Sequence, residues 1–382
     1  MKNLESSVVL YPKVVAIFDV FNWSSTRLNF ANYCKRRYFL KYILREEQLL
    51  PSVYRRGSLM HNLMCHEKTG VTFWDRLGKK EEIKRNKKGK VISKKKYSNP
   101  EEFVDYAQGQ WLMMCNQDEK AGRSIEWRFD GEMWEIYNHY IPQVCNPLFD
   151  YAVNEGPPIY SELKFDFLFE KRRFKGKIDE IRLNRESIVI RDYKTESPWA
   201  GEMKLLGNPQ LTLYCFAVCS LAYKDGEFAK SIGLENERER FFGNPNYISD
   251  RIKPELFMFD TLRRDPETTK SMPELIYRTT RKDDDILALF LNLQDIEEEV
   301  KEFLSRRKKL IPSTEFGKKC DDCDMRKSCL SVLERELEFL KSDKDSLKDK
   351  TGQRYFSFVS PYSIGKQKCR RYKQKRFRWK KK

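Results

Sequence analysis

The chain has 382 residues, with 74 Lys and Arg against 57 Asp and Glu, for a formal charge of +17. That length buries a full core, as one main domain with appendages, and the basic balance favours a polyanionic partner over a neutral metabolite, although it also serves solubility. No run reaches the ~18–20 apolar residues that span a bilayer, because Val14 to Phe21 is short and broken by Asp19, so we expect no membrane partner and an intracellular, cytoplasmic protein. Residues 1–22 form an N-terminal extension without a usable motif. From Trp23 a Ser/Thr start and near-helical apolar spacing predict one helix carrying Cys34. A second helix is expected over Tyr54 to Glu67, with His61 on it. The Lys-rich segment from Lys79 to Lys96 has few apolar anchors and reads as an exposed insertion. Glu101 to Tyr151 is aromatic-rich and helical in pattern. Three strands follow, in ELKFDFLFE, FKGKIDEIRL and SIVIRDYKT. Asn208 and Pro209 then occupy the cap and first position of a helix, QLTLYCFAVCSLAY. A weaker mixed region leads to Arg281, and charged helices are expected over Asp283 to Lys309 and Leu330 to Leu347.

The chemistry concentrates in GKIDEIRLNRESIVIRDYKT. A turn centred on Arg185 and Glu186 pairs residues whose numbers sum to 371, which sets Asp179 opposite Asp192. Carboxylates so opposed, ~5 Å apart at Cβ, repel unless a cation compensates. Lys194 projects from the same face, two residues past Asp192, while Ile181 and Ile190 pair as an apolar floor. Two acids and a lysine suit Mg²⁺ or Mn²⁺ and phosphodiester chemistry. The alternative is a solvated hairpin whose acids meet Lys177, Lys194 or Arg191 as surface ion pairs.

This hairpin, G-x-x-D followed by D-Y-K-T, resembles the core of the PD-(D/E)XK nucleases of the RecB-like family. The resemblance implies an α/β fold, a mixed sheet flanked by helices, and metal-dependent hydrolysis of DNA phosphodiesters. It implies that Asp179 and Asp192 hold the metal, that the Tyr193 carbonyl adds a ligand and that Lys194 serves catalysis. GSLMH, ending at His61, is similar to the family's helical histidine ligand. Gln210 and Tyr214 match its Q-L-x-x-Y element and share a helix face; Glu162 matches the acid on the strand before the hairpin. A core tyrosine, an exposed first-turn glutamine and a strand-edge charge are the plain alternatives for these three.

Cys320, Cys323 and Cys329 form C-x2-C-x5-C and lack a fourth partner. The resemblance, here to nucleases of the AddB and CRISPR-adaptation type, supplies Cys34 and implies a [4Fe-4S] cluster clasping the N- and C-terminal helical parts. Spacing alone leaves zinc open as the occupant. Cys65, Cys115, Cys145, Cys215, Cys219 and Cys369 read as small buried hydrophobes. The nuclease domain implied covers residues 23–330, followed by a charged helix over 331–365 and a basic tail over 366–382. That tail, with Tyr372, Phe377 and Trp379, could grip and stack on unpaired bases, or act as a solubilising or localising segment. The reading is therefore an exonuclease acting on DNA ends or single strands. Its rival is a catalytically silent nucleic-acid-binding or scaffolding module of a recombination or CRISPR-adaptation complex. No P-loop is present, so unwinding would need a partner helicase.

Overall fold

A computed structural model describes residues 22–46, 48–66, 71–77, 98–170, 172–195, 205, 208–244, 246–263, 275–305, 320 and 323–342. The Lys79 to Lys96 segment, Cys369 and the basic tail lie outside them. The centre is a mixed sheet of β1 (Asn22–Trp23), β2 (Tyr160–Phe169), β3 (Arg172–Asn184), β4 (Ser187–Lys194), β5 (Ile252–Met258) and β6 (Ile276–Arg278). Its order is β1-β3-β4-β5-β6, with β2 on the other edge of β3. Pairing of β1 with β3 and of β4 with β5 is parallel, whereas β2–β3, β3–β4 and β5–β6 are antiparallel. The described helices include α1 (Ser25–Tyr33), α2 (Ser52–Met64), α3 (Pro100–Lys120), α4 (Ile141–Glu155), α5 (Pro209–Lys224), α6 (Asp283–Leu304) and α7 (Arg326–Ser342).

Alternating apolar residues bury both sheet faces. One core joins α1, α5 and α6 to Phe174, Ile178, Ile181, Ile188 and Ile190, and takes in Met325, Cys329 and Val332 at the α7 end. The other gathers α2, α3 and α4 around Tyr193, Phe257 and Phe259. The caps follow the local chemistry. Asn208 accepts from the Gln210 and Leu211 amides at 2.9 and 3.2 Å, and Pro209 opens α5 without wasting a donor. Asn99 and Pro100 do the same for α3.

The structure differs from expectation in several places. The helix expected through Cys34 is broken there, because Cys34 is extended (φ −160°, ψ 102°) and its sulfur caps a new turn by accepting from the Arg37 amide at 3.4 Å. Trp23 belongs to β1, not to that helix. The second helix starts at Ser52 and stops at Met64, where Cys65–His66 pairs with Val71–Thr72. Glu101 to Tyr151 is interrupted between α3 and α4 by Ile125–Glu126, which pairs with Leu50–Pro51. The weakly patterned region before Arg281 contains β5, a buried strand whose Lys253, Pro254 and Glu255 conceal its character. Pro254 is tolerated because β6 pairs only with Glu255, Leu256 and Phe257. The last helix begins four residues earlier than expected, at Arg326. Of the cysteines read as buried, Cys115 is only half-buried.

Candidate active site

The expected register holds. Glu180 faces Arg191, Ile181 faces Ile190 and Leu183 faces Ile188, every pair summing to 371. Asp179 and Asp192 stand one row further on, beyond the last paired rung. The β2–β3 register sums to 341, so Glu162 continues the same row on the far side of Asp179. Regular pairing skips this row on both sides of β3. Here the side-chain alternation also changes phase: Ile178 and Ile181, three apart, join the same core, as do Tyr160 and Leu163. Glu162 marks the slip with φ +55°, in the left-handed region.

The edge of β3 that meets β1 at Arg173 and Phe174, and β4 from Glu180 onward, carries no strand partner between them among the described residues. Asp179 lies at that opening, and its Oδ2 accepts from the Tyr193 amide at 2.8 Å. Helices from both layers reach it. From α2, His61 Nδ1 lies 3.5 Å from Asp179 Oδ1. From α5, Gln210 Nε2 donates to Asp192 Oδ1 at 2.9 Å and to the Tyr214 hydroxyl at 2.7 Å. Lys194 Nζ donates to Gln210 Oε1 at 3.1 Å and contacts Asp192 Oδ2; Lys177 contacts Glu162. Ligand atoms of His61, Glu162 and Asp179 all fall within 4.8 Å of one another.

Two glycines permit this approach. A Cβ on Gly57 would meet Thr195 Oγ1 at 3.1 Å, so Gly57 lets α2 close on the end of β4. A Cβ on Gly176 would meet the Phe165 ring at 2.5 Å, which explains the glycine three residues before Asp179: Phe165 lies over it and meets Tyr214 edge-on.

The electrostatics of the row are uneven. Burial raises the carboxyl pKa of Asp192, and the charge of Asp179 adds to this against the pull of Lys194. Burial also works on Asp179, but His61, the Tyr193 amide and Lys194 outweigh it and hold that carboxyl below its ordinary value. Burial resists protonation of His61, and the charge and hydrogen bond of Asp179 overcome it, so the imidazole is raised. Glu162 is raised, first by burial. Three carboxylates, an imidazole and two lysines therefore share one small volume, a donor set suited to a hard divalent cation.

The residues singled out around the hairpin are joined in one network: Glu162, Asp179, Asp192, Lys194 and His61 make up the charged row, Gln210 bonds Asp192 and Tyr214, and Tyr193 reaches Asp179 through its amide. Sequence reasoning missed Asn29, whose Nδ2 donates to Gln210 Oε1 at 2.8 Å, and Arg56, which donates to the Thr195 carbonyl at 3.0 Å. Neither belongs to a motif; Arg56 adjoins Gly57, and Asn29 lies 181 positions from its partner.

Cys34 stands at the end of α1, Cys320 and Cys323 precede α7, and Cys329 is within it. Cys34 is close enough to influence the titration of Cys323 and Cys329, and Cys320 that of Cys329. Burial raises both the Cys323 and Cys329 thiols. Arg36 Nε donates to Cys329 Sγ at 3.3 Å while its Nη2 holds Glu336 at 2.7 Å, and Arg37 and Lys41 both hold Asp324. Among the described residues, no helix is long and apolar enough to cross a membrane.

The hairpin of opposed acids, with a lysine two residues on, opens beside a mixed sheet and is reached by helices from both faces. The family model for the PD-(D/E)XK nuclease superfamily matches residues 22–330, and the chain belongs to that superfamily. No curated protein matches the chain.

Proposed function

We propose that the protein is a DNA nuclease of RecB-like type, an exonuclease acting on DNA ends or single strands. The observation that carries the reading is the row Glu162, Asp179 and Asp192 across three adjacent strands, with His61 and Lys194 converging on it. In this reading Asp179, Asp192, the Tyr193 carbonyl and His61 hold Mg²⁺ or Mn²⁺, with Glu162 accessory. The ion when bound supplies Lewis acidity toward a phosphodiester oxygen. Lys194 orients the attacking water and offsets charge developing on the phosphate, while Gln210, held by the Tyr214 hydroxyl, fixes the Asp192 carboxylate. The formal charge of +17 favours the polyanionic substrate.

Purified protein with Mn²⁺ on end-labelled single- and double-stranded DNA tests this, with Asp179→Ala and Lys194→Ala as controls. Cleavage by the wild type, lost in both variants while binding survives, is expected. Binding without cleavage by the wild type would identify a silent scaffold instead.

Cys34, Cys320, Cys323 and Cys329 form the second element of the proposal, as ligands of a [4Fe-4S] cluster. The Arg36 hydrogen bond to Cys329 and the hold of Arg37 on Asp324, which tie the turn after Cys34 to the segment of Cys323 and Cys329, support it, since a cationic donor stabilises sulfur ligands carrying negative charge. Anaerobically purified protein should be brown, with broad absorption near roughly 400 nm. Colourless protein with stoichiometric zinc would decide for zinc.

A further inference from the structure

The Gln210 amide has all four of its hydrogen-bonding positions filled. Its Oε1 accepts from Lys194 Nζ at 3.1 Å and Asn29 Nδ2 at 2.8 Å; its Nε2 donates to Asp192 Oδ1 at 2.9 Å and the Tyr214 hydroxyl at 2.7 Å. Turning the amide over would set its NH₂ against two donors and its carbonyl against a carboxylate. One orientation is therefore favoured by all four partners, and Asn29 and Lys194 are the two that hold Oε1 in place. Lys194 also contacts Asp192, and as the catalytic lysine it is drawn toward the phosphate during the reaction. Asn29 is the donor with no such second duty.

The same helix lies along α5. Ser25, one turn before Asn29 on α1, is buried on the side of Tyr214, whose hydroxyl accepts from Gln210. α1 is thus packed against the helix that carries both Gln210 and Tyr214.

We propose that Asn29 is a positioning residue of the nuclease site: by donating to Gln210 Oε1 it fixes the amide that aims the Asp192 carboxylate. Asn29 touches neither metal nor substrate; it acts through Gln210. The inference rests on the nuclease reading and deepens it. Because the amide sets carboxylate orientation and not DNA affinity, its misorientation appears in kcat and in metal affinity, with KM for DNA unchanged.

The test uses the full chain, an end-labelled oligonucleotide varied up to saturation and Mn²⁺, with Mn²⁺ binding followed by electron paramagnetic resonance. Asn29→Ala should lower kcat by roughly tenfold at unchanged KM and weaken Mn²⁺ binding, the scale of one well-placed hydrogen bond. Asn29→Asp is isosteric, so it tests the same bond should the alanine variant not fold. Its carboxylate faces Gln210 Oε1, and the loss should be greater than with alanine. In a Gln210→Ala background, Asn29→Ala should have no further effect on kcat, whereas a merely structural role would add its full cost. Normal kcat in Asn29→Asp, or full additivity with Gln210→Ala, overturns the proposal while Asp192→Ala remains inactive. If Asp192→Ala itself cuts normally, the nuclease reading fails and this inference falls with it.

Discussion

Asp179 and Glu180 are neighbours in the chain, as are Arg191 and Asp192, yet strand alternation divides each pair between two buried charge clusters of different design. Glu180, Arg191 and Glu255 form a row across β3, β4 and β5. Arg191 donates to Glu255 at 2.6 Å and clasps both oxygens of Glu155; Arg182 holds Glu180 at 2.8 Å, and Arg278 approaches Glu255 at 3.3 Å. Acids and arginines balance there, and the planar guanidinium of Arg191 locks Glu155 in a two-pronged bond. The neighbouring row, Glu162, Asp179 and Asp192, has lysines and a histidine in place of arginines. Lysine is a point charge on a flexible stem, able to leave one oxygen for another. The first cluster is built to stay closed, and the second retains carboxylate that a cation can use.

Breaking one member of each cluster should produce opposite phenotypes. Asp192→Asn should lower cleavage by about 10³-fold or more, and because it removes a raised carboxyl beside another acid, the unfolding midpoint should hold or rise. Loss of cleavage together with a large fall in Tm would show that both clusters are structural. Arg191→Leu strands Glu255 and Glu155, and should cost about 3–5 kcal/mol of stability, a fall of roughly 5 °C in Tm for a chain of 382 residues. Residual activity per folded molecule should stay near wild type, which activity normalised to the folded fraction would measure.

The cysteine end should resemble the closed cluster more than the open one. Cys34→Ser is expected to remove the visible absorption and lower Tm by several degrees, because a cluster joining Cys34 to Cys329 closes a long loop. Folded Cys34→Ser protein that keeps the absorption would exclude Cys34 as a ligand.

The smallest effect concerns protons. Asp192 and His61 both titrate above their ordinary values, so a metal must displace protons that remain bound to higher pH; Asp179, held low, has already lost its own. Mn²⁺ affinity should therefore rise with pH and fall as pH drops through the raised His61 value, by up to about tenfold per unit for each proton displaced. Titration calorimetry at several pH values checks this, and His61→Asn should flatten the dependence near neutrality. An unchanged slope in that variant would remove His61 from the ligand set.

Much of this was legible in the chain because it is local. The period of two and a turn at Arg185 and Glu186 fix which residues of β3 and β4 meet, so Asp179 opposite Asp192, and Lys194 beside it, follow from counting. Asn208 and Pro209 announce α5, and the four-residue spacing of Gln210 and Tyr214 sets them on one face. Other features were decided only by packing. No pattern shows that Cys34 breaks its helix, since Cys34 is extended only once its sulfur caps the turn at Arg37. The strand β5 is hidden by Lys253, Pro254 and Glu255, and becomes a strand because β4 and β6 pair with it and Arg191 takes up Glu255. Asn29 lies 181 residues from Gln210, and their hydrogen bond exists only because α1 packs on α5. Alternation and capping act over a few residues and can be read in order, whereas partners distant in the chain are chosen by which faces the core brings together.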